Sequence, residues 1–186
     1  MKKTNKSSTL ISVFEWIETF LVALCCVVII FTFLVKFVTV SGDSMDSTLA
    51  DGNRLLITNM FYEPECGDII VVDVSGNLNI PRDHGVSSSA PYIKRVIATE
   101  GQAVEVRSDW SVWVDGKKID EPYIHRTGTF MYTGEMTHCV VPKDHVFVMG
   151  DNRNNSTDSR DIGPIHKNYI LGHVILRLAP SFGGVE

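Results

Sequence analysis

Ser44 lies in the stretch "SGDSMDSTL", residues 41–49, which is rich in glycine and small hydroxyl residues. Such a composition is typical of a turn. The same residue types also suit nucleophilic catalysis, because glycine lets the backbone approach a substrate and a serine hydroxyl attacks a carbonyl once a base removes its proton. A turn serine and a nucleophile both remain open, and the choice depends on what accompanies Ser44.

A candidate base is Lys94, in the middle of the apolar segment "YIKRV" at residues 92–96. In a strand, Lys94 and Arg95 point to opposite faces of the sheet. A lysine on an edge strand is commonly solvated and prevents aggregation. A lysine that faces the core has a lowered pKa instead, and it can then act as a neutral general base for a serine.

A third polar segment, "MGDNRNNSTDSRDIG" at residues 149–163, follows the strand-like "HVFV". Taken alone, it is typical of a solvated loop built on Asx turns. The histidines would offer metal or histidine-based hydrolysis, but none has the HExxH spacing or a comparable helical one. We therefore expect no metal and no cofactor. Each histidine is interpreted as a surface or packing residue: His84, His125, His138, His145, His166 and His173.

Strand signals dominate the chain after residue 50, where no amphipathic helix of convincing length is predicted. Asp115 and Gly116 stand between strand-like flanks and predict a hairpin. A polar patch at residues 85–91 predicts a solvated loop. The fold class is therefore mainly β, with an antiparallel sheet. Runs rich in β-branched residues predict strands at residues 54–60, 68–74, 92–99, 103–107, 145–150 and 173–178.

An apolar run, "TFLVALCCVVIIFTFLV" at residues 19–35, carries no charge, and its apolar flanks extend it to the roughly twenty residues that cross a bilayer. It is apolar on every face, unlike a core helix, and longer than the apolar region of a cleavable signal peptide. The chain is thus divided into a basic cytoplasmic tail (1–14), a transmembrane anchor (15–38) and an extracytoplasmic domain (39–186). Lysines at positions 2, 3 and 6 predict a cytoplasmic N-terminus.

The charge and the cysteines give weaker indications. A net charge of -5 without a basic stripe argues against a nucleic-acid partner. Cys25 and Cys26 lie in the apolar run and are expected to pack as small apolar residues. Cys66 and Cys139 lie in the predicted outer domain, where free thiols are expected and a disulfide remains open.

Four segments in order, behind an apolar span, resemble the type I signal peptidases in their single-span bacterial form. They are "SGDSMDSTL", "CGDIIVV", "YIKRVIATEG" and "MGDNRNNSTDSR". The resemblance begins with the anchor and covers essentially the whole outer domain. The fourth segment is the most specific, because its pattern GDNR-x-x-S-x-D-S-R fixes most of its positions.

The resemblance implies that Ser44 is the nucleophile, Lys94 the general base, and Ser156 the hydroxyl that orients the lysine. It also implies two supporting charged pairs, Asp158 with Arg160 and Asp151 with Arg95. Gly42 and Gly150 are expected to be glycine because the backbone there needs close approach or unusual dihedral angles. Shallow substrate pockets are expected to be lined by Met45, Tyr92 and Ile93.

Three positions depart from the family's pattern. Ser47 stands where the family usually has proline, so the turn after the nucleophile is expected to be looser. The segment "ATEGQ" at residues 98–102 replaces the usual Gly-x-Pro-Gly-Asp. Gly42 stands where some members have a serine that stabilises the oxyanion, so backbone N–H groups are expected to carry that task.

The implied function is a membrane-bound serine endopeptidase that removes N-terminal signal peptides after small-x-small sites. Its implied partners are secreted preproteins, the lipid bilayer and, by proximity, the protein-export channel. Two alternatives remain. One is a dedicated Ser-Lys peptidase for a pilus or conjugation substrate, and the other is an inactive membrane-tethered binding module on the same fold.

Overall fold

A computed structural model describes residues 5–73, 91–107, 109–124 and 138–185 of the chain. The predicted loop at residues 85–91 lies outside these ranges apart from Pro91. His84, His125 and the lysines at positions 2 and 3 lie outside them as well. The chain divides into two units, Met1–Lys36 and Phe37–Glu186, each described by itself.

The first unit is the helix α1, Asn5–Leu34. Its segment Ile11–Thr32 has 22 residues and is long and apolar enough to cross a membrane. At 1.5 Å per residue, it spans about 33 Å, close to the thickness of a bilayer's hydrocarbon core. Large apolar side chains such as Phe14, Trp16 and Phe31 are exposed along it.

The helix both begins and ends earlier than the anchor predicted at residues 15–38. After Leu34 the chain forms the strand β1, Lys36–Thr39, which pairs with its neighbour β2. The prediction extended the span because Phe37 and Val38 are apolar. These residues form a strand because pairing with β2 gives their backbone N–H and carbonyl groups hydrogen-bond partners. The pairing continues beyond β1, where the Val40 N–H donates to the Asn53 carbonyl at 2.8 Å.

The second unit contains a seven-stranded sheet in the order β1-β2-β11-β3-β4-β9-β10. Every pairing for which a register is described in it is antiparallel. This confirms the predicted mainly antiparallel β class. The remaining members are β2 (Arg54–Thr58), β3 (Ile69–Val72), β4 (Tyr92–Thr99), β9 (His145–Met149), β10 (Ile165–His166) and β11 (Ile170–Ala179).

A four-stranded sheet follows the order β7-β6-β5-β8. The predicted hairpin is confirmed between β6 and β7, where Asp115 and Gly116 both have positive φ, 51° and 74°. Positive φ at both central residues is the backbone that such two-residue turns require. The members are β5 (Ala103–Val106), β6 (Val112–Val114), β7 (Lys117–Lys118) and β8 (His138–Val140).

All six predicted strands are confirmed, with ends that differ by about three residues at most. The five strands outside these six, β1, β6, β7, β8 and β10, have two to four residues each. β6 and β7 flank the predicted hairpin turn, where only the turn was assigned. Such short segments do not show a two-residue alternation long enough to identify. Within the described residues after 50, helix is limited to α2 (Ser159–Ile162) and a single 3-10 turn (Lys167–Tyr169).

Strand β4 carries the catalytic candidate Lys94 and is an interior strand. It pairs with β3 on one side, where Lys94 faces Ile70, and with β9 on the other, where Arg95 faces Met149. Apolar residues of β3 and β9 surround it in the core, among them Ile70 and Val148. An interior strand has no free edge, so the interpretation of Lys94 as a solvated edge lysine is excluded.

Candidate active site

Ser44 and Lys94 meet, although 50 residues separate them in sequence. The Lys94 Nζ lies 2.7 Å from the Ser44 Oγ and 3.1 Å from the Ile93 carbonyl. The lysine is only 3% exposed, whereas Ser44 is half-buried. A hydroxyl that is partly open to solvent and in direct contact with a buried amine has the geometry of a nucleophile with its base.

The environment of Lys94 favours the neutral amine. Burial lowers the pKa of Lys94 to about 8, because a desolvated ammonium is costly. The nearby Asp158 acts in the opposite direction, and the Arg160 guanidinium opposes Asp158. Since these two charges form an ion pair, their effects on the lysine largely offset each other and burial decides the direction.

The loop that carries Ser44 is hydrogen-bonded to the polar segment at residues 149–163, here called the closing segment. The Asn152 N–H donates to the Ser44 carbonyl at 3.0 Å, and the Asn152 side chain donates to the Asp43 carbonyl at 3.1 Å. Gly42 adopts φ 92°, which only glycine accepts readily, and its N–H donates to Asp51 Oδ1 at 2.9 Å. The backbone need predicted at Gly42 is therefore visible as a left-handed turn before the nucleophile.

Asp158 is fully buried and joins several parts of the site. Its carboxylate accepts two hydrogen bonds from the Arg160 guanidinium, both at 2.8 Å, and one from the Gly150 N–H at 2.9 Å. It also caps helix α2 in a capping box with Asp161. Burial opposes ionisation of Asp158, but Arg160 and these hydrogen bonds together lower its pKa below the usual value.

Ser156 is hydrogen-bonded to the Asp158 carboxylate. Its hydroxyl donates to Asp158 Oδ2 at 2.8 Å, and no hydrogen bond within the described residues links it to Lys94. The resemblance implied that this hydroxyl orients the lysine. A buried carboxylate two residues away is the stronger acceptor, so the hydroxyl proton points to Asp158. Its lone pairs remain able to accept a hydrogen bond from a charged Lys94.

Arg95 and Asp151 form the second buried charged pair. The guanidinium donates to both carboxylate oxygens, at 2.9 and 2.7 Å, and also to the Gly67 carbonyl at 2.9 Å. Thr48, four residues after the nucleophile, donates to Asp151 Oδ2 at 2.6 Å. This pair thus connects the lysine strand, the closing segment and the nucleophile loop.

Met45, Tyr92 and Ile93 were expected to line substrate pockets. Met45 and Ile93 are only 1% and 6% exposed and pack in one apolar core cluster with Leu49 and Ile69. Both side chains thus belong to the apolar core next to the site, and their role in substrate pockets stays a prediction. Tyr92 is half-buried, and the Lys94 Nζ lies 5.2 Å from the centre of its ring.

Three residues of the site were not predicted: Glu121, Tyr123 and Arg153. Arg153 donates to Glu121 in a buried ion pair, with one contact at 3.2 Å and a shorter second one, and its Nε donates to the Gly150 carbonyl at 3.1 Å. The Tyr123 ring lies 3.9 Å from the Arg95 guanidinium carbon. Arg153 belongs to the GDNR pattern and could have been suspected of having a buried partner, but nothing local in the sequence singles out Glu121 or Tyr123.

Gly150 is the point at which the hydroxyl of Ser156 and the loop of Ser44 meet. A Cβ added there would lie 2.3 Å from the Ser156 Oγ and 2.5 Å from the Ser44 carbonyl oxygen. Neither contact is tolerable, and the second involves backbone. The predicted backbone need at Gly150 is therefore a need for close approach.

Replacing Gly150 with alanine is expected to lower peptidase turnover by about a hundredfold or more, because the Ser44 backbone must move by an ångström to make room. Overpacking should also reduce the free energy of unfolding by about 1–3 kcal/mol. Turnover and thermal unfolding of the purified variant measure both effects. Gly184→Ala is the matched control, since its added Cβ meets nothing within 4 Å. Wild-type turnover in Gly150→Ala would contradict the close packing.

Comparisons with known proteins agree on one family. The family described as "Signal peptidase, peptidase S26" matches residues 13–179. A "Signal peptidase I" of Bacillus licheniformis is 34% identical over an alignment of 181 residues that covers 92% of this chain and 89% of that protein. A "Signal peptidase IB" of Staphylococcus aureus (strain COL) is 35% identical over an alignment of 185 residues that covers 90% of each chain. A crystal structure of a signal peptidase I from Enterococcus faecalis V583 aligns with a TM-score of 0.46 at 26% identity, covering 60% of this chain and 97% of that one.

Proposed function

Because this chain belongs to the signal peptidase family, peptidase S26, we propose that Ser44 and Lys94 are its nucleophile and general base. Membership in the family makes the protein a membrane-anchored serine endopeptidase that acts on preproteins with signal peptides. The observation that carries the residue assignment is the 2.7 Å contact between the Ser44 Oγ and the Nζ of a lysine that is only 3% exposed.

In the first step, neutral Lys94 takes the proton of the Ser44 hydroxyl while the oxygen attacks the carbonyl carbon of the scissile peptide bond. The lysine becomes an ammonium, and the carbonyl oxygen becomes an oxyanion. Collapse of the tetrahedral intermediate breaks the C–N bond, and Lys94 returns the proton to the leaving amine. The mature protein departs with a free N-terminus, and the signal peptide remains esterified to Ser44.

The oxyanion needs hydrogen-bond donors aimed at it before it forms. With glycine at position 42, these donors are backbone groups, and we assign the Ser44 N–H as one of them. Among the described residues, no hydrogen bond uses that N–H, whereas the Ser44 carbonyl is engaged by Asn152. A fixed carbonyl and a free N–H in the same residue support this role.

The second step reverses the first with water as the nucleophile. Lys94, neutral again, takes a proton from a water molecule while the water oxygen attacks the ester carbonyl. The bond between that carbon and the Ser44 Oγ then breaks, Lys94 returns the proton to the Oγ, and the signal peptide leaves with a new carboxyl terminus. The ion pairs of Asp158 with Arg160 and of Asp151 with Arg95 do not react. They hold the two loops and the strand in register, and breaking such a buried pair typically costs about 3–5 kcal/mol.

The membrane anchor supports a function at the bilayer surface. We propose that the N-terminus is cytoplasmic, that the β domain lies outside, and that cleavage follows small-x-small sites. An enzyme on the same surface as its membrane-inserted substrates searches along that surface and so meets them more often. Because such preproteins emerge from the export channel, we place the working enzyme beside it.

The test is incubation of the purified protein, in detergent or lipid, with a preprotein whose signal ends in Ala-x-Ala. Appearance of the mature protein, with its N-terminus sequenced, supports a signal peptidase. A protein that binds the preprotein without cleaving it would overturn the proposal and favour a binding module. Cleavage of a pilus or conjugation substrate alone would favour the dedicated peptidase.

The pKa of Lys94 predicts the pH dependence of cleavage. Only the neutral amine accepts the Ser44 proton, and a pKa lowered to about 8 leaves about a tenth of the lysines neutral at pH 7. We expect kcat/KM to rise about tenfold per pH unit below pH 8 and to level off above it. Measurement between pH 6 and pH 10 tests this. An acid limb at pH 6.5 or lower would point to a histidine base, and one near 10.5 would mean a solvated lysine.

A further inference from the structure

Ser47, three residues after the nucleophile, has an unusual backbone and a long-range contact. Its φ is 86°, a region that residues other than glycine rarely occupy. Its hydroxyl donates to the Tyr123 carbonyl at 2.7 Å, across 76 residues of sequence, and its N–H donates to Asp46 Oδ1 at 2.9 Å. The looser turn expected without proline is therefore replaced by a strained turn that is held by two hydrogen bonds.

The acceptor of this contact is itself fixed. Glu121 forms a buried ion pair with Arg153, and the Tyr123 ring packs 3.9 Å from the Arg95 guanidinium carbon. Arg95 follows Lys94 in strand β4, and Arg153 contacts the Gly150 carbonyl. Residues 121–123 are thus bound to both the strand of the base and the closing segment, and the Tyr123 carbonyl has a set position relative to Lys94.

The nucleophile loop is therefore held at both ends of its catalytic turn. Before Ser44, the Asn155 side chain donates to Asp43 Oδ1 at 2.9 Å, and Asn152 engages the carbonyls of Asp43 and Ser44. After Ser44, the hydroxyl of Ser47 reaches Tyr123. Backbone strain of the kind seen at Ser47 persists where surrounding contacts impose it.

We propose that Ser47 is a positioning residue: its hydrogen bond to the Tyr123 carbonyl fixes the loop so that the Ser44 Oγ stays in contact with the Lys94 Nζ. The inference rests on the proposed roles of Ser44 and Lys94. Ser47 touches neither reacting atom, so its effect is on the fraction of time in which nucleophile and base are in reach. Turnover depends on that fraction, whereas substrate affinity and the burial of Lys94 do not.

Three substitutions separate the hydroxyl from the backbone. Ser47→Gly accepts the positive φ without strain but has no donor. Ser47→Asn keeps a side-chain donor, and asparagine tolerates positive φ better than most residues. Ser47→Pro fixes φ near −65° and cannot adopt the observed turn at all. Ser41→Gly, at an exposed serine of the same stretch, is the control for added chain flexibility.

The assay is preprotein cleavage by the full chain in detergent, with kcat, KM and the acid limb of kcat/KM determined for each variant. The loss of one exposed hydrogen bond corresponds to about a three- to tenfold change. We expect Ser47→Gly to lower kcat by that factor with KM and the acid limb unchanged. Ser47→Asn should recover to within about twofold of wild type, and Ser47→Pro should lose more than tenfold. Circular dichroism verifies folding, and if Ser47→Pro is unfolded, the glycine and asparagine variants decide.

Several results would overturn the inference. Wild-type kcat in Ser47→Gly would mean that the hydroxyl has no role, and equal losses in Ser47→Gly and Ser47→Asn would mean that the donor does not matter. A rise in KM alone would assign Ser47 to substrate binding, and a shift of the acid limb toward 10.5 would mean that the change hydrates Lys94. These outcomes leave an active wild type. Failure of the wild type to cleave, or activity of a Ser44→Ala variant, would instead refute the proposed function itself.

Discussion

Replacing Ser44 with alanine is expected to reduce the turnover of preprotein cleavage by at least about ten-thousandfold. In the proposed mechanism the hydroxyl oxygen forms the acyl-enzyme, and no other side chain within the described residues contacts the Lys94 Nζ by a hydrogen bond. Folding should be almost unaffected, since Ser44 is half-buried and its hydroxyl has one hydrogen bond, worth about 1 kcal/mol. Single-turnover cleavage and thermal unfolding measure the two effects.

Ser41→Ala is the matched control for this variant, because Ser41 is an exposed serine of the same stretch. It should retain full turnover. Should Ser44→Ala cleave at a rate near that of Ser41→Ala, the nucleophile would have to be a different residue. The double variant of Ser44→Ala with Lys94→Ala should be little worse than either single one, because residues that act as one catalytic unit are not additive.

Replacing Lys94 with methionine is expected to abolish turnover to a similar degree while leaving the fold as stable or making it more stable at pH 7. Methionine preserves the volume of the side chain and removes the base. A pKa lowered from 10.5 to about 8 means that burial of the ammonium costs the folded state about 3 kcal/mol at neutral pH. The variant does not carry that cost.

The stability difference between the methionine variant and wild type has a defined pH dependence. Between pH 8 and pH 10.5, the unfolded lysine is protonated and the folded one is not, so the stability of wild type rises with pH. The advantage of Lys94→Met should therefore shrink over that interval. Denaturant unfolding at pH 7 and pH 9.5 measures it, with the exposed Lys117→Met as control. A constant difference would contradict the lowered pKa.

Lys94→His distinguishes the amine from a generic base. The imidazole is shorter than the lysine side chain, so it should not reach the Ser44 hydroxyl from the same position of β4, and turnover should stay low at every pH. A substantially active histidine variant, with an acid limb near the histidine pKa of about 6.5, would refute the requirement for lysine.

The parts of the site that the sequence predicted lie within short segments with a strong pattern. Lys94 could be singled out because a charged residue interrupts an apolar strand, and its role, like that of Asp158, followed from the resemblance to the family. The pairing of Arg95 with Asp151 followed from the resemblance. Its geometric reason appears only in the fold, where Arg95 stands opposite Met149, the first residue of the segment that carries Asp151.

The parts that the sequence did not predict depend on long-range packing. Glu121 contacts Arg153 across 32 residues, and Tyr123 reaches both Arg95 and Ser47 from a segment without a regular pattern. Met45 and Ile93 were assigned to pockets because they are adjacent to catalytic residues in sequence. Both lie in one apolar core cluster, and Ile93 faces away from Lys94 because consecutive strand residues point to opposite sides. Their role in substrate pockets stays a prediction.

The Asp158 carboxylate stabilises the fold through Arg160 and the cap of helix α2, and it also fixes Gly150 in the candidate site. The hydroxyl of Ser44 contacts only Lys94 and serves only the proposed reaction. Gene copies released from selection for cleavage would therefore decay unevenly. A copy that lost Ser44 would still fold and persist, while one that lost Asp158 would be degraded. Genome surveys that count enzymes by the motif around Asp158 would then count working copies together with copies that have lost Ser44. Under the proposed mechanism, a copy that cleaves preproteins must keep both Ser44 and Lys94.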